Sequence, residues 1–288
     1  YIVIATLTGV FIILTYEPQH AWSRLGFDFG QNPNQIGLMY LLPLVFSIRK
    51  AYIDEMRLVN IMLSGLFFYI ILLTGSKKAL LGGVIFVVIY LLLQPSIKNK
   101  IKNILLTIII LAIILTLLKN VSFFYNIIGY RMEDFFELIV FPSIKSTSST
   151  NLIRHQLIKQ GLDIFADNPI LGVGMNNFAY FSGVYTHNNY IEILVNLGVI
   201  GFITYYSIHL ITGYKLFILS RKNMSEEIAY YIAIFVTLLF YDIGMVSYDS
   251  INIVVLLLIL LNGVNSKYSV SFTRQKNDIE HYIINSIQ

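Results

Sequence analysis

The chain has no cysteine among its 288 residues, which excludes disulfides, thiolate nucleophiles and Cys-based metal sites. Charge is scarce as well. Only 12% of the residues are charged, against about a quarter in an ordinary soluble chain whose surface must face water. The 20 Lys or Arg and 16 Asp or Glu leave a net charge of +4, but no basic run exceeds two residues, so nucleic acid is not an expected partner. There is no DxD, no HExxH, no pair of histidines at ligand spacing and no GxxxxGK[ST] loop. Metal-assisted transfer from a nucleotide sugar and ATP-driven transport are therefore disfavoured, and neither a metal site nor a cofactor is expected. No charged leader precedes the first apolar run, in which Tyr1 already lies, so the chain reads as a fragment lacking upstream spans.

What remains is apolar. Hydrophobic residues make up 56% of the chain and mean hydropathy is +0.71, a mass that lipid must solvate. With ~20 apolar residues needed to cross ~30 Å of hydrocarbon as helix, candidate spans fall at 1–15, 35–48, 58–74, 79–94, 101–118, 189–212, 228–246 and 250–264. The expectation is an all-α, polytopic transmembrane helical bundle of about eight spans with a large outward-facing, partly helical loop. Pro43 predicts a kink, tolerable where neighbours cover the freed carbonyl.

Lys and Arg in short loops set orientation. Arg49, Lys50 and Arg57, then Lys98, Lys100 and Lys102, then Lys215, Arg221 and Lys222, then Lys267, Arg274 and Lys276 all fall on one side of a strict up-down count. That side is read as cytoplasmic. The chain then divides into N-terminal spans (1–118), a large extracytoplasmic loop (119–188), C-terminal spans (189–264) and a cytoplasmic tail (265–288).

Long structured loops tend to carry function. This one holds Arg131, Glu133, Asp134 and Glu137, and then a polar run from Lys145 to Thr150. Residues 151–166 read as an amphipathic helix capped by Thr150 or Asn151 and stopped at Asn168-Pro169. A Gly-rich turn at 172–174 and a Tyr-rich stretch lead to Thr186-His187-Asn188.

In so apolar a chain, polar groups at membrane depth are the informative ones, because each costs free energy unless paired or wet. Asn188, Glu192 and Asn196 recur every four residues and form one stripe, expected to face a bundle interior or a water-filled cleft. Gly198 and Gly201 are read first as small residues that let helices approach. Arg154 shares a helix face with Ile158, Gly161 and Phe165. It either snorkels to headgroups or grips an anion through paired, charge-assisted bonds. Arg24 and the Lys77-Lys78 pair lie on the same outward side, against the positive-inside bias. A histidine at a helix mouth is commonly a capping residue, but His187 stands beside an Asn pair, a carboxylate and an outward Arg, where a neutral imidazole can accept a proton. His20, His155, His209 and His281 have no such setting, and Asp242 and Asp249 are read as bundle-facing or interfacial.

Five segments together resemble the O-antigen ligase/polymerase family of bacterial membrane glycosyltransferases. They are Gln31-Asn32-Pro33-Asn34, Leu73-Thr74-Gly75-Ser76-Lys77, Arg154 on its amphipathic helix, Asn168-Pro169-Ile170-Leu171-Gly172-Val173-Gly174, and Thr186-His187-Asn188-Asn189-Tyr190 followed by Gly198-Val199-Ile200-Gly201. The resemblance covers about residues 20–212. It implies transfer of a sugar chain from undecaprenyl pyrophosphate to an acceptor glycan or glycolipid, without metal or nucleotide, at the outer face of the bacterial cytoplasmic membrane. It implies catalytic roles for His187 and Arg154, with Arg24, Lys77, Asn188 and Glu192 binding pyrophosphate or glycan. Lys77 stands where the family usually has Arg. The bilayer is an implied partner, a chain-length regulator a further candidate, and polymerase is preferred to ligase. The competing readings are a transporter or flippase for a lipid-linked or anionic substrate, and a membrane scaffold without chemistry. Transporters commonly show paired inverted repeats, which this sequence lacks.

Overall fold

A computed structural model describes residues 2–17, 20, 23–27, 30–53, 56–133, 149–248 and 250–287. Asp134, Glu137, Lys145 and Asp249 lie outside the described residues. Among the described residues every element is helical: α1 (Ile2–Thr15), α2 (Pro33–Ile53), α3 (Arg57–Leu73), α4 (Lys77–Leu92), α5 (Ile97–Asn120), α6 (Ser149–Asp167), α7 (Asn177–Ser182), α8 (Asn189–Lys222), α9 (Glu226–Gly244) and α10 (Ile251–Ile287). Each expected span coincides with a helix. Among the described residues five, α2, α5, α8, α9 and α10, are long and apolar enough to cross a membrane by themselves. The apolar helices α1 and α3 are shorter, with 14 and 17 residues, and α4 has 16. This is a multi-pass membrane protein.

Burial explains the packing. α2, α3, α4 and α9 form the centre, with Leu41, Phe67, Ile70, Phe86 and Tyr241 inaccessible between them. α5 and α8 keep much of their apolar surface outward, as lipid-facing helices do (Ile108, Ile109 and Ile203 among others). Pro43 lies inside α2, where the Ser47 hydroxyl donates to the Pro43 carbonyl.

Three boundaries differ from expectation. First, α10 does not stop at 264 but runs to Ile287. No Gly or Pro follows Gly263 to end it. Second, the start of the partly helical loop after α5 belongs to the bundle: residues 122–133 form a short helical turn, a π-turn over Tyr125–Gly129 and a further helical turn. Ile127 and Ile128 are buried in the main core, because so apolar a run has nowhere better to go. Third, the span expected at 189–212 is a longer helix, Asn189–Lys222, broken at Gly198 (φ 65°, ψ −168°).

That break organises the loop before it. Unwinding α8 at residue 198 releases backbone groups that must find partners. The segment 169–174 supplies them. Val173 N–H donates to Val195 O (2.9 Å) and Gly174 N–H to Asn196 O (2.8 Å), while Val199 N–H donates to Pro169 O (2.9 Å) and Ile200 N–H to Ile170 O (3.3 Å). Only glycine fits at the two crossing points. A Cβ on Gly198 would stand 2.2 Å from Ile170 O, and one on Gly172 2.5 Å from Val195 O, and both residues have positive φ. The reading of Gly198 as a plain packing residue is therefore corrected. It is a backbone crossing.

α6 lies across the first half of α8. Leu157, Phe178 and Val195 make a second small core there, with Ile164, Phe165, Val173 and Ile191 around it.

Candidate active site

The site is built from loop and helix ends gathered at one end of the bundle. Its base is the turn Thr74–Ser76 between α3 and α4. Ser76 caps α4, its hydroxyl accepting from Ala79 N–H (3.3 Å). Two arginines hold the turn's carbonyls: Arg24 Nε donates to Thr74 O (2.8 Å) and Arg131 Nη1 to Gly75 O (2.8 Å). The Gln31–Asn34 turn presents Asn34 Oδ1 to Arg24 Nη2 (3.2 Å). Burial, then the Arg131 charge, pushes the Arg24 guanidinium down to about 10. Arg24 thus spends two donors on structure and brings its charge to the turn from one side. The charge of Lys77, which follows Ser76, acts on Lys78.

The opposite wall is the turn 185–189. Thr186 is inaccessible. Its N–H donates to Glu192 Oε2 (2.7 Å), its hydroxyl donates to Asn188 O (2.7 Å) and accepts from Asn188 N–H (3.2 Å). Asn188 caps α8 through Ile191 N–H (3.1 Å) and donates to Ile243 O at the end of α9 (3.2 Å). Asn189 accepts from Ser247 N–H (3.0 Å) and donates to Tyr206 OH (3.1 Å), which donates to Asp242 (2.9 Å). Asp242 also accepts from the Ser247 hydroxyl, so it faces the bundle, as expected. His187 is the tip of this tied turn and is held at φ 59°, a left-handed conformation that costs a β-carbon-bearing residue roughly 1 kcal/mol or more.

The stripe Asn188, Glu192, Asn196 does not face a cleft. It grips the outer loop. Glu192 is 2% exposed. Its Oε1 accepts from Asn196 Nδ2 (2.9 Å), and Asn196 Oδ1 accepts from Phe178 N–H at the start of α7 (2.8 Å). Both Glu192 oxygens are therefore engaged inside the protein.

Arg154 reaches the same place from α6. Its face of that helix includes Leu157, Gly161 and Phe165, which seat it on Ile191 and Val195. Arg154 Nε and His187 Nδ1 are both buried, and neither has a hydrogen-bond partner among the described residues. Burial and then the Arg131 charge lower the Arg154 guanidinium, a nearby Tyr185 opposing this. His187 is pushed down to about 4 by burial, then by the positive charges of Arg154 and Lys78. The Tyr185 ring centre lies 4.2 Å from that of His187. Lys78 runs its stem along Gly244 (3.5 Å from Lys78 Cε to an ideal Cβ there).

The charges thus form a connected set, Arg24 to Arg131 to Arg154 to His187 to Lys78, with no carboxylate pairing Arg24, Arg154 or Lys78 among the described residues. The two ion pairs found there, Arg49–Glu226 and Lys267–Glu227, both sit at the opposite end of the bundle. Such a set attracts a polyanion. Of the residues singled out in the sequence, His187, Asn188 and Arg154 come to this end of the bundle, Arg24 borders it at its base, and Lys77 adjoins it through Lys78. Lys78, Arg131 and Tyr185 had no assigned role in the sequence. Adjacent lysines point about 100° apart on a helix, and only the packing of α9 reveals which one faces His187.

The chain is similar to known proteins. The teichuronic acid biosynthesis protein TuaE of Bacillus subtilis (strain 168) is 25% identical over 213 residues, which is 67% of this chain and 41% of that protein. The chain thus spans about two-fifths of the length of the curated relative it matches. The family described as O-antigen ligase matches residues 62–206, half of the chain, covering α4, α6, the 169–174 crossing and the His187 turn. With that match, the chain belongs to the O-antigen ligase family.

Proposed function

We propose that the protein transfers a glycan from a polyprenyl pyrophosphate carrier to an acceptor hydroxyl during assembly of a surface polysaccharide. The observation that carries the reading is the pair of buried groups without partners among the described residues, Arg154 Nε and His187 Nδ1, with the charges of Arg154 and Lys78 both felt at His187. The family and the relative's name, which specifies teichuronic acid biosynthesis, point the same way.

The chemistry follows from charge. As the anomeric C–O bond breaks, its electron pair passes to the bridging oxygen of the pyrophosphate. Fixed cations aimed at that oxygen stabilise the transition state more than the ground state. Arg154 and Lys78 supply this charge, with Arg131, Lys77 and Arg24 behind them, and no metal is required. The acceptor oxygen attacks the opposite face of the anomeric carbon, giving inversion, and His187 takes its proton. An imidazole near 4 is a poor base in the empty protein. The bound pyrophosphate offsets the Arg154 and Lys78 charges and raises it, so the base is activated by its own substrate. Glu192 acts as a positioning residue through Thr186 and not as a sugar ligand.

This reading places the site end of the bundle outward, with residues 119–188 on the periplasmic or exterior face of the cytoplasmic membrane and Arg49, Lys215 and Arg221 inside, following the positive-inside bias. Between the two forms of the reaction, extension of a carrier-linked chain (polymerase) is preferred to transfer onto a lipid core (ligase), with a chain-length regulator as a candidate partner.

The test uses a strain lacking the gene, complemented with the full-length protein or with His187→Ala at equal expression, and profiles lipid-linked and surface glycans. Single repeat units after deletion, not extended by His187→Ala, support a polymerase. Long chains retained on their carrier indicate a ligase. Normal long chains with His187→Ala would refute the mechanism.

A further inference from the structure

From Asn168 to Thr186 the sequence contains no Asp, Glu, Lys or Arg, although this stretch lies in a segment that would otherwise face water. Its apolar side chains are not buried in the protein. Ile170 is 65% exposed, Leu171 71%, Met175 64% and Tyr180 85%. The other side of the same module is built differently: α6 turns Lys159, Gln160, Asp163 and Asp167 away from the core.

The backbone settles where the apolar side sits. Residues 169–174 are hydrogen-bonded along residues 195–200 of α8, so Ile170 and Leu171 stand level with Val199 and Ile200. Those two, and Ile203 one turn on, are themselves exposed on the outer surface of α8, which as a membrane-crossing helix meets lipid there. Depth follows from helix geometry. Counting ~1.5 Å per residue back from Lys215 puts Val199 roughly 24 Å along the helix, about 6 Å short of a ~30 Å hydrocarbon layer. The tip of the loop is therefore level with the outermost turn of the acyl region and continuous with an existing lipid-facing surface.

We propose that the tip at 170–171, with Met175 and the Tyr180–Phe181 pair beside it, is a wedge inserted into the outer leaflet of the bilayer. Its partner is lipid, with apolar side chains in the acyl boundary and aromatic rings at the headgroup level. The wedge fixes the height of the chemistry. The half-helix from Asn189 to Gly198 joins it rigidly to His187, which places the imidazole within about 12 Å of the hydrocarbon boundary, where the headgroup of a membrane-borne substrate lies. Gly198 and Gly172 are the crossing that lets a loop from outside the bundle reach this depth with its backbone hydrogen-bonded to α8 on both sides of the tip.

The test is collision accessibility of nitroxide spin labels in liposomes. Residues 1–288 contain no cysteine, so the full-length protein is made free of any other cysteine and labelled singly at Leu171→Cys or Phe181→Cys. Ile203→Cys serves as the lipid reference and Lys159→Cys as the water reference. All four positions are on the surface, so the substitutions leave the fold intact. The expected result is high accessibility to oxygen and low accessibility to a nickel chelate at Leu171, within a factor of about two of Ile203. A Leu171 label as open to the nickel chelate as Lys159 would overturn the proposal. So would protection from both reagents, which would mean that protein or glycan covers the surface. The readout involves no catalysis, and its failure would leave the glycosyl-transfer reading untouched.

Discussion

The clamp behind His187 has a fixed polarity, and that makes its response to substitution calculable. Phe178 N–H donates to Asn196 Oδ1, Asn196 Nδ2 donates to Glu192 Oε1, and Glu192 Oε2 accepts from Thr186 N–H. Glu192→Gln keeps the shape but replaces one acceptor by a donor. If the new amide oxygen faces Thr186, its NH2 group meets the NH2 of Asn196, and flipping Asn196 merely moves the conflict to Phe178. One buried donor is orphaned in every arrangement, at about 1–3 kcal/mol, and a charge-assisted bond to the Thr186 N–H is weakened as well. A loss of about 2–3 kcal/mol follows. It is felt first where release is easiest, at the Thr186–Asn188 turn, because His187 is already held in a left-handed conformation. Competent enzyme then falls by roughly 30- to 150-fold, while the rest of the bundle stays folded. The reciprocal change repairs the chain of bonds. In Glu192→Gln with Asn196→Asp, the Gln amide donates to the new carboxylate, which still accepts from Phe178 N–H, and the Gln oxygen still accepts from Thr186. The assay is kcat/KM for glycan extension by purified protein in liposomes, with thermal stability measured alongside. The double variant should recover at least tenfold over Glu192→Gln. A double variant no better than Glu192→Gln, or a Glu192→Gln protein with wild-type kcat/KM, refutes the reasoning.

Other perturbations separate the parts of the site. On the proposed mechanism His187 is the base and must be unprotonated, so activity should fall as pH drops through the His187 value. With that value lowered to about 4 by burial and by Arg154 and Lys78, the acid limb of kcat/KM should lie near pH 4–5 and not near 6.5, and Arg154→Met should move it upward. Lys78→Met should cost at least tenfold in kcat/KM and more than Lys77→Met, because Lys78 acts on both His187 and Arg154; equal losses would remove the distinction. Gly198→Ala places a Cβ 2.2 Å from Ile170 O at a positive φ and should abolish recovery of monodisperse protein, whereas an Ala tolerated there would deny the crossing. At the far end, Glu226 accepts from Tyr90 OH (2.6 Å) and Arg49 Nε (3.2 Å), tying α2, α4 and α9. Glu226→Gln should lower the thermal midpoint by several degrees with kcat/KM of the folded protein unchanged, since the latch is remote from the site.

Much of the fold was legible because lipid imposes a single demand, a run of apolar residues long enough to cross. All eight expected runs coincide with helices, although among the described residues only five of those are long and apolar enough to cross by themselves. The outer module was legible only in part. Its helix showed in the periodicity around Arg154, and its end in Asn168-Pro169. The pairing of 169–174 with 195–200 left no such trace, because it is a backbone interaction and the side chains involved, Ile170, Leu171, Val199 and Ile200, look like any lipid-facing set. Only Gly172 and Gly198 mark it, and a glycine in an apolar helix more often means close packing. The inward stripe of Asn188, Glu192 and Asn196 was visible as a stripe. What it faced was not, because periodicity gives a direction relative to the helix and says nothing of what lies there.

The two orphaned groups and the low value of His187 have one origin. A cleft that gathers several cations, with no carboxylate pairing Arg24, Arg154 or Lys78 among the described residues, destabilises its own protonated histidine and leaves guanidinium donors unspent. Both effects are costs to the empty protein, and both are relieved by the same event, the arrival of a dianionic group between Arg154 and Lys78. The binding of that group should therefore be coupled to proton uptake at His187. At a pH between the empty and occupied values, part of the binding energy goes into protonating the base and is lost to chemistry, whereas above both values the base stays neutral and the cations act on the leaving group alone. Pyrophosphate affinity should accordingly rise as pH falls through the occupied value, while kcat declines over the same interval. A titration of inorganic pyrophosphate by calorimetry in two buffers of different ionisation enthalpy reads the proton uptake directly. Uptake that persists in His187→Gln would assign it to some other group and break the link between the cation cluster and the base.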